Sequence, residues 1–192
     1  MDDQTPTTSG PWTRRSRRTA YENPWITIWH DDVTRPDGAP GVYGVVHFAH
    51  LAAGVVVLDD TDRVLLVGQH RYALDAWSWE IPEGGVPAGE AALEGARREL
   101  FEETGVAAGA WQELARLHLS NSVSDELAIL FLATGVTHGV AQPEGTEALE
   151  ILWLPFEEVL AMTLDGRISD AMTVVAVERL ALLRARADLT GR

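Results

Sequence analysis

Cysteine is absent from the 192-residue sequence, which excludes disulfides, thiolate metal sites and cysteine nucleophiles. Long apolar runs are also missing: none reaches about 18 residues, and the N-terminus has no hydrophobic segment of the signal-peptide type. The G-x-S-x-G, Walker A and G-x-G-x-x-G strings do not occur, which argues against the common serine hydrolases, P-loop proteins and Rossmann folds. These absences predict a cytoplasmic protein with no membrane partner.

Basic residues are few. Fifteen Lys and Arg residues face 29 Asp and Glu residues, and the formal net charge is −14. Such a charge repels nucleic acid, so no nucleic-acid partner is expected. An acidic protein can still bind a small phosphorylated substrate where divalent cations neutralise its carboxylates locally.

The distribution of residue types divides the chain into four segments. Residues 1–20 are rich in small polar residues and then carry four arginines, which predicts a disordered tail. Residues 21–50 are predicted to form N-terminal strands, residues 51–188 the main domain, and residues 189–192 a C-terminal tail.

Apolar patterning predicts the secondary structure of these segments. Strands are predicted at residues 25–29, 41–48, 53–58, 63–67, 77–81, 111–119, 127–133 and 149–154. Helices are predicted from about residue 88 to Gly105, over 156–164 and over 170–187. The aspartate-rich segment 59–62 indicates a hairpin. Because strands and helices do not strictly alternate, we predict an α+β fold with a mixed β-sheet flanked by helices.

A cluster of glutamates lies near the end of the first predicted helix. Glu99, Glu102 and Glu103 are spaced i, i+3 and i+4, which places them on one helical face within a single turn. Their mutual repulsion is unfavourable there, and Arg97 and Arg98 do not neutralise it. Hard oxygen ligands without His or Cys favour Mg²⁺ or Mn²⁺ over Zn²⁺. The pattern therefore indicates a magnesium-dependent phosphoryl or pyrophosphate site.

The same segment carries a family resemblance. Residues 84–106 read GGVPAGEAALEGARRELFEETGV and contain Gly84-x5-Glu90-x7-Arg98-Glu99-Leu100-x-Glu102-Glu103-x-Gly105-Val106, which resembles a complete Nudix box. The resemblance implies an α/β/α sandwich with a mixed β-sheet. It also implies hydrolysis of a nucleoside diphosphate that is linked to another group.

The resemblance assigns roles to individual residues. It implies that Glu99, Glu102 and Glu103 bind the metal, with the backbone carbonyl of Glu83 as a further ligand. Glu99 and Glu103 would then take part in catalysis.

Four other box positions are implied to support the site. Arg98 is a catalytic-site residue that braces the loop and helix by pairing with Glu90. Gly84 allows close approach in the loop, and Gly105 ends the helix.

The segment before the box is similar to ADP-ribose and nucleotide-sugar pyrophosphatases. The matching runs are Gln69-His70-Arg71-Tyr72 and Trp77-Ser78-Trp79-Glu80-Ile81-Pro82. In those relatives the arginine approaches substrate phosphate and the glutamate lies near the metals, so Arg71 and Glu80 are candidate substrate-binding residues. Two alternatives remain open: a surface ion pair for Arg71 and a buried supporting acid for Glu80.

The N-terminal segment from Tyr21 to Tyr43 resembles the same subfamily. The likeness implies an additional antiparallel strand layer and a homodimer. Trp25 is a candidate for stacking on the nucleobase, although a tryptophan in a strand pattern is more often part of a core or interface.

Two loops bear on specificity and catalysis. The segment 120–126 lacks the Pro-Gly pair that ADP-ribose hydrolases commonly carry, so strict ADP-ribose specificity is not predicted. Ser122 and Glu126 in this loop are candidate substrate-binding residues. The general base implied by the resemblance is Glu147, followed by Glu144 and Glu150.

Taken with the residues, the resemblance implies a pyrophosphohydrolase that uses Mg²⁺, with Mn²⁺ as the alternative ion. Its small-molecule partner would be ADP-ribose or a related nucleoside diphosphate sugar, cleaved to a nucleoside monophosphate and a sugar phosphate. Two alternatives remain open, a housekeeping nucleoside triphosphate pyrophosphatase and a non-catalytic nucleotide-sugar sensor.

Overall fold

A computed structural model of the chain describes residues 5–140 and 149–190. Within these residues the fold has eleven strands and three helices, which confirms the predicted α+β class. They form two compact units. Among the described residues, the first contains 5–51 and 118–127, and the second contains 52–117, 128–140 and 149–190.

The first unit is built on a four-stranded antiparallel sheet in the order β1-β2-β3-β4. Its strands are β1 (Thr7–Ser9), β2 (Trp12–Glu22), β3 (Ile26–Thr34) and β4 (Pro40–Phe48). Each strand pairs with the next along the chain, as short turns between consecutive strands favour. The predicted N-terminal antiparallel strand layer is confirmed.

The prediction of a disordered tail over residues 1–20 is wrong for the strand residues 7–9 and 12–20, which belong to β1 and β2, and residues 1–4 lie outside the described residues. Arg17 is paired across the strands with Asp31, and its Nε and Nη2 each donate to that buried carboxylate at 2.7 Å. The guanidinium also lies 3.8 Å from the centroid of the Trp29 ring. The composition of this segment suggests arginines in contact with solvent. The residues that hold Arg17 in place, Asp31 and Trp29, lie on the next strand and cannot be recognised from composition.

The turn-rich segment 120–126 is hydrogen-bonded to β4. The Tyr43 hydroxyl donates to the Ser122 carbonyl at 2.6 Å, and Val46 N–H donates to the Val123 carbonyl at 2.8 Å. Asp125 accepts from Phe48 N–H at 3.0 Å. The predicted substrate loop is thus held by the N-terminal sheet.

The second unit contains two sheets. Its strands are β5 (Leu51–Val57), β6 (Arg63–Arg71), β7 (Ala76–Glu80), β8 (Glu83–Val86), β9 (Val106–His118), β10 (Leu127–His138) and β11 (Glu150–Pro155). The described strands are ordered β8-β5-β10-β9 in one sheet and β11-β6-β7 in the other. Since β10 runs parallel to β5 and β6 runs antiparallel to β7, the unit combines both kinds of pairing, as predicted.

The predicted hairpin around residues 59–62 is wrong. β5 and β6 belong to different sheets and are joined only by the bridge between Leu58 and Val64 among the described residues. Both strands are buried along most of their length, so each finds partners on both sides. Asp59 accepts hydrogen bonds from Thr61 N–H and Arg63 N–H and turns the chain from one sheet into the other.

Three helices complete the described part of the second unit: α1 (Ala92–Thr104), α2 (Phe156–Leu164) and α3 (Ala171–Thr190). α1 packs on β8, while α2 contacts β6, β11 and α3. Gly105 ends α1 in a left-handed conformation with φ of 69°, and its N–H donates to Phe101 at 2.8 Å. None of the helices in residues 5–140 and 149–190 combines the length and apolarity that a membrane span requires.

Candidate active site

Carboxylates converge where β7 ends and β8 begins. Within the described ranges, Glu80, Glu83 and Asp170 form a group whose ligand oxygens lie within 4.8 Å of one another. Glu80 is the last residue of β7, Glu83 is the first of β8, and Asp170 directly precedes α3. Ile81 and Pro82 alone separate the two glutamates in the chain, and the position of α3 supplies the aspartate.

Arg71, at the end of β6, neutralises part of this group. Its Nε donates to Glu80 at 2.8 Å, and its Nη2 contacts Glu80 and donates to Glu83 at 3.0 Å. The hydrogen bonds to Glu80 raise the pKa of Arg71 against the opposing effect of burial, and the charges of Glu80, Glu83 and Asp170 raise it further. Arg71 therefore forms an ion pair, but with a glutamate that is 3% exposed and not at the surface. Its role in binding substrate stays a prediction.

The Glu83 side chain is mostly buried beside other acidic residues. Burial raises its pKa well above the usual range, and repulsion from Asp170 and Glu80 adds to that effect. Its Oε1 accepts from Arg71, whereas Oε2 is buried and has no hydrogen-bond partner in the described part of the chain. A buried carboxylate oxygen without a hydrogen bond is costly unless a proton or a cation accompanies it.

The three predicted metal ligands of α1 differ in environment. Arg98 Nη1 donates to Glu99 at 2.7 Å and to Glu102 at 3.1 Å. Glu103 is only 5% exposed, and its charge contributes to the raised pKa of Glu83. Helical spacing thus places the three acids on one side of α1, with Glu103 as the buried member.

Gly84 and Gly105 occupy the backbone positions that the box implies. A Cβ on Gly84 would lie 2.3 Å from Glu99 Cδ, so only glycine lets the Glu99 carboxylate approach the start of β8. Gly105 ends α1, as described above.

The predicted pairing of Arg98 with Glu90 is present. Arg98 Nη2 donates to Glu90 at 3.0 Å and to the Gly85 carbonyl at 3.0 Å. The hydrogen bonds to Glu90 and the neighbouring glutamates raise the pKa of Arg98, although burial opposes this. The guanidinium therefore ties the segment before α1 to the middle of the helix.

The donor set suits a divalent cation of the hard type. The carboxylates of Glu80, Glu83, Glu103 and Asp170 offer oxygen only, and a buried oxygen of Glu83 has no hydrogen bond within the described ranges. Arg71 supplies a single positive charge to this group. The residues present thus fit a divalent ion bound by oxygen.

The remaining predicted site residues lie elsewhere in the chain. Trp25, Ser122 and Glu126 belong to the first unit, and the Trp25 side chain is 67% exposed. Burial raises the pKa of Glu126, and repulsion from the charge of Asp125 raises it further. Their substrate-binding roles stay predictions.

Two of the three candidates for the general base, Glu147 and Glu144, lie outside the described residues. Glu150, the third candidate, is exposed at the start of β11. The assignment of the base stays a prediction.

Asp170 is the residue that sequence reasoning missed. Its position before a predicted helix, three residues ahead of Thr173, is a capping pattern and marks a helix start. Nothing local connects it to residues 80–83, because that proximity arises from packing across about 90 residues of chain.

Comparison with known proteins agrees with a hydrolase site of this composition. The model of the Nudix domain matches residues 49–173, and the model of the nucleoside diphosphate sugar hydrolase N-terminal domain matches residues 12–46. The chain therefore belongs to the Nudix family, which confirms the resemblance identified at residues 84–106. It is a Nudix hydrolase, with a second matched domain at its N-terminus.

Several curated relatives cover most of the chain. ADP-ribose pyrophosphatase of Mycobacterium tuberculosis is 33% identical over 84% of this chain and 79% of its own length. A CMP-5'-(N-acetyl-N-hydroxy-3-aminopropyl)phosphonate hydrolase of Streptomyces rubellomurinus is 30% identical over 86% and 80%. A methanol dehydrogenase activator of Bacillus methanolicus is 31% identical over 83% and 87%. Since these names differ, similarity alone does not select a substrate.

A solved structure supports the fold. The crystal structure of an ADP compounds hydrolase matches 99% of this chain and 98% of its own, with a TM-score of 0.81 and 21% identity. The predicted Nudix fold is thereby confirmed.

Proposed function

We propose that this protein is a divalent-metal-dependent pyrophosphohydrolase that cleaves ADP-ribose or related nucleoside diphosphate sugars to a nucleoside monophosphate and a sugar phosphate. The observation that carries the proposal is the group of Glu80, Glu83 and Asp170, because Glu83 begins β8 and β8 packs on the helix of the Nudix box. The chain also matches the nucleoside diphosphate sugar hydrolase N-terminal domain. The relatives named ADP-ribose pyrophosphatase support the same substrate class.

The chemistry suits a diphosphate. Mg²⁺, or Mn²⁺ as an alternative, would supply charge neutralisation of the diphosphate and activation of water when bound. Glu83, Glu99, Glu102 and Glu103 would hold the ion, with Glu80 and Asp170 beside them.

Arg71 and Arg98 serve different purposes in this proposal. Arg71 bridges Glu80 and Glu83, and its side chain is 39% exposed, so the guanidinium remains accessible to a phosphate oxygen. Arg98 keeps α1 and the segment before it in register through Glu90 and Gly85. Glu147 would accept a proton from the attacking water.

The experiment is hydrolysis of a substrate panel with Mg²⁺. The panel contains ADP-ribose, ADP-glucose, GDP-mannose, UDP-glucose, diadenosine polyphosphates and deoxynucleoside triphosphates, and the products are separated by chromatography. We expect a nucleoside monophosphate and a sugar phosphate. Release of pyrophosphate from triphosphates alone would replace the substrate class, and binding without turnover would favour a sensor.

Two properties of the whole protein are also proposed. A homodimer is supported by the matched N-terminal domain and by exposed apolar side chains on its sheet, such as Tyr21 and Val42, which are 53% and 60% exposed. Light scattering on the purified protein would test it, and a monomer at micromolar concentration would contradict it. A cytoplasmic location remains our proposal from composition.

A further inference from the structure

The start of α3 is hydrogen-bonded to the segment that carries Glu80 and Glu83. Asp170 Oδ2 accepts from Thr173 N–H at 2.7 Å and from the Thr173 hydroxyl at 2.8 Å. The same hydroxyl oxygen accepts from Ile81 N–H at 2.9 Å. Because Thr173 is fully buried, its hydroxyl uses a donor and an acceptor function inside the protein.

Ile81 lies between β7 and β8, and its backbone N–H donates to Thr173 rather than to a neighbouring strand. The next residue, Pro82, has no N–H, and its carbonyl accepts from Val55 N–H at 2.9 Å. The peptide that connects Glu80 to Glu83 is therefore held at two points, one on α3 and one on β5.

We propose that Thr173, itself held by Asp170, is a positioning residue that sets the backbone between Glu80 and Glu83 for binding of a divalent cation. The inference rests on the proposed function insofar as a cation binds at these carboxylates. Mg²⁺ requires near-ideal geometry at short distances, so a small displacement of this peptide changes how the two carboxylates meet the ion.

Removal of the hydroxyl identifies its contribution. Valine has nearly the shape of threonine, but its side chain neither accepts from Ile81 N–H nor donates to Asp170. The backbone N–H of residue 173 still donates to Asp170. The buried N–H of Ile81 would then have no partner, which favours a shift of residues 80–83 toward another acceptor. Serine retains both hydrogen bonds and loses only the methyl group.

The test measures binding of Mn²⁺ alone by calorimetry, on the full chain and without substrate. We expect Thr173→Val to weaken Mn²⁺ affinity by about 10- to 100-fold, and Thr173→Ser to remain within about threefold of the parent protein. The Mg²⁺ concentration for half-maximal hydrolysis should rise by the same factor in Thr173→Val, with kcat recovered at saturating Mg²⁺.

Thr163→Val is the matched control. Thr163 is 8% exposed in α2, and its hydroxyl donates to the Leu160 carbonyl at 2.9 Å, so the variant also deletes a buried hydroxyl. It should lower the thermal midpoint without changing Mn²⁺ affinity. If Thr173→Val does not fold, Thr173→Ala takes its place in the same comparison.

The outcomes separate this inference from the proposed function. Unchanged Mn²⁺ affinity in Thr173→Val, equal losses in Thr173→Ser and Thr173→Val, or no Mn²⁺ binding by the parent protein would each overturn the inference. A protein that binds Mn²⁺ in a Thr173-dependent manner and yet hydrolyses no nucleoside diphosphate sugar would overturn the proposed function alone.

Discussion

At the scale of single residues, Glu103 is a buried acid that lowers the stability of the folded protein but suits the binding of a metal ion. Its side chain is 5% exposed, and its charge is among the causes that raise the pKa of Glu83. A buried carboxylate that repels another one destabilises the protein without a cation and becomes useful when a cation is bound.

Replacement of this residue gives the first prediction. Glu103→Gln keeps the shape but removes the charge, so we expect kcat/KM to fall by about 100-fold or more while metal-free stability rises. Steady-state kinetics and urea unfolding measure the two effects. Glu94→Gln is the control, because Glu94 lies on the same helix with its side chain 58% exposed and paired with Arg97. Equal turnover of Glu103→Gln and the parent protein would contradict the proposed site.

At the scale of elements, the contact between α1 and β8 depends on a glycine inside a helix. Gly95 is buried, and a Cβ at this position would lie 2.4 Å from Val86 Cγ2. Alanine normally stabilises a helix relative to glycine by about 1 kcal/mol, but here the added methyl must displace a strand side chain.

We therefore expect Gly95→Ala to destabilise the protein by about 1–3 kcal/mol. The double variant Gly95→Ala/Val86→Ala should lose less stability than the sum of the two single variants. The reason is that Val86→Ala removes the methyl groups that the new Cβ at position 95 would meet. Urea unfolding of both single variants and the double variant measures this coupling. Additive effects would show that the close approach does not limit packing.

The turn between β5 and β6 provides a pH-dependent prediction. Burial opposes ionisation of Asp59, but hydrogen bonds from Arg63 and Thr61 outweigh it and lower its pKa from 3.8 to about 2. Its side chain is 13% exposed. A lowered pKa contributes stability that is fully present above pH 4 and is lost as the pH falls toward 2.

Asp59→Asn should therefore cost about 2 kcal/mol at pH 7, and the difference from the parent protein should shrink between pH 4 and pH 2. Urea unfolding at pH 7, 4 and 3 tests this, with Asp60→Asn, at the exposed neighbouring position, as the control. A difference that stays constant over this range would assign the effect to geometry rather than to charge.

At the scale of the whole molecule, the net charge of −14 and the carboxylate group act in the same direction. Each disfavours the compact state without counter-ions, so a bound divalent cation stabilises the fold. A ligand at about 100 times its Kd contributes about 2.7 kcal/mol. For a chain of this size that corresponds to a thermal shift of roughly 5–10 °C.

We expect Mg²⁺ to raise the thermal midpoint by such an amount and EDTA to reverse it, without loss of secondary structure by circular dichroism. Sodium chloride at matched ionic strength is the control, because screening alone does not require a site. The same shift with sodium chloride would argue against specific binding.

Local patterns were sufficient for the Nudix segment. Local patterning predicted the end of α1 at Gly105 and the helix over residues 156–164, whereas the pairing of Arg98 with Glu90 was implied by the resemblance to the box. Short-range geometry of this kind is encoded in spacing, since positions three and four apart meet on any helix.

Other features depend on residues that are distant in the chain. Pairing with β3 orders β2. The strands β5 and β6 enter different sheets, and Asp170 joins Glu80 and Glu83 across about 90 residues of chain. The box motif therefore identified the family and the class of reaction, and the choice of Glu99, Glu102 and Glu103 as oxygen ligands stays a prediction. The packing of α3 determined which carboxylates meet, because contact between remote segments follows from how buried faces pair and not from local periodicity.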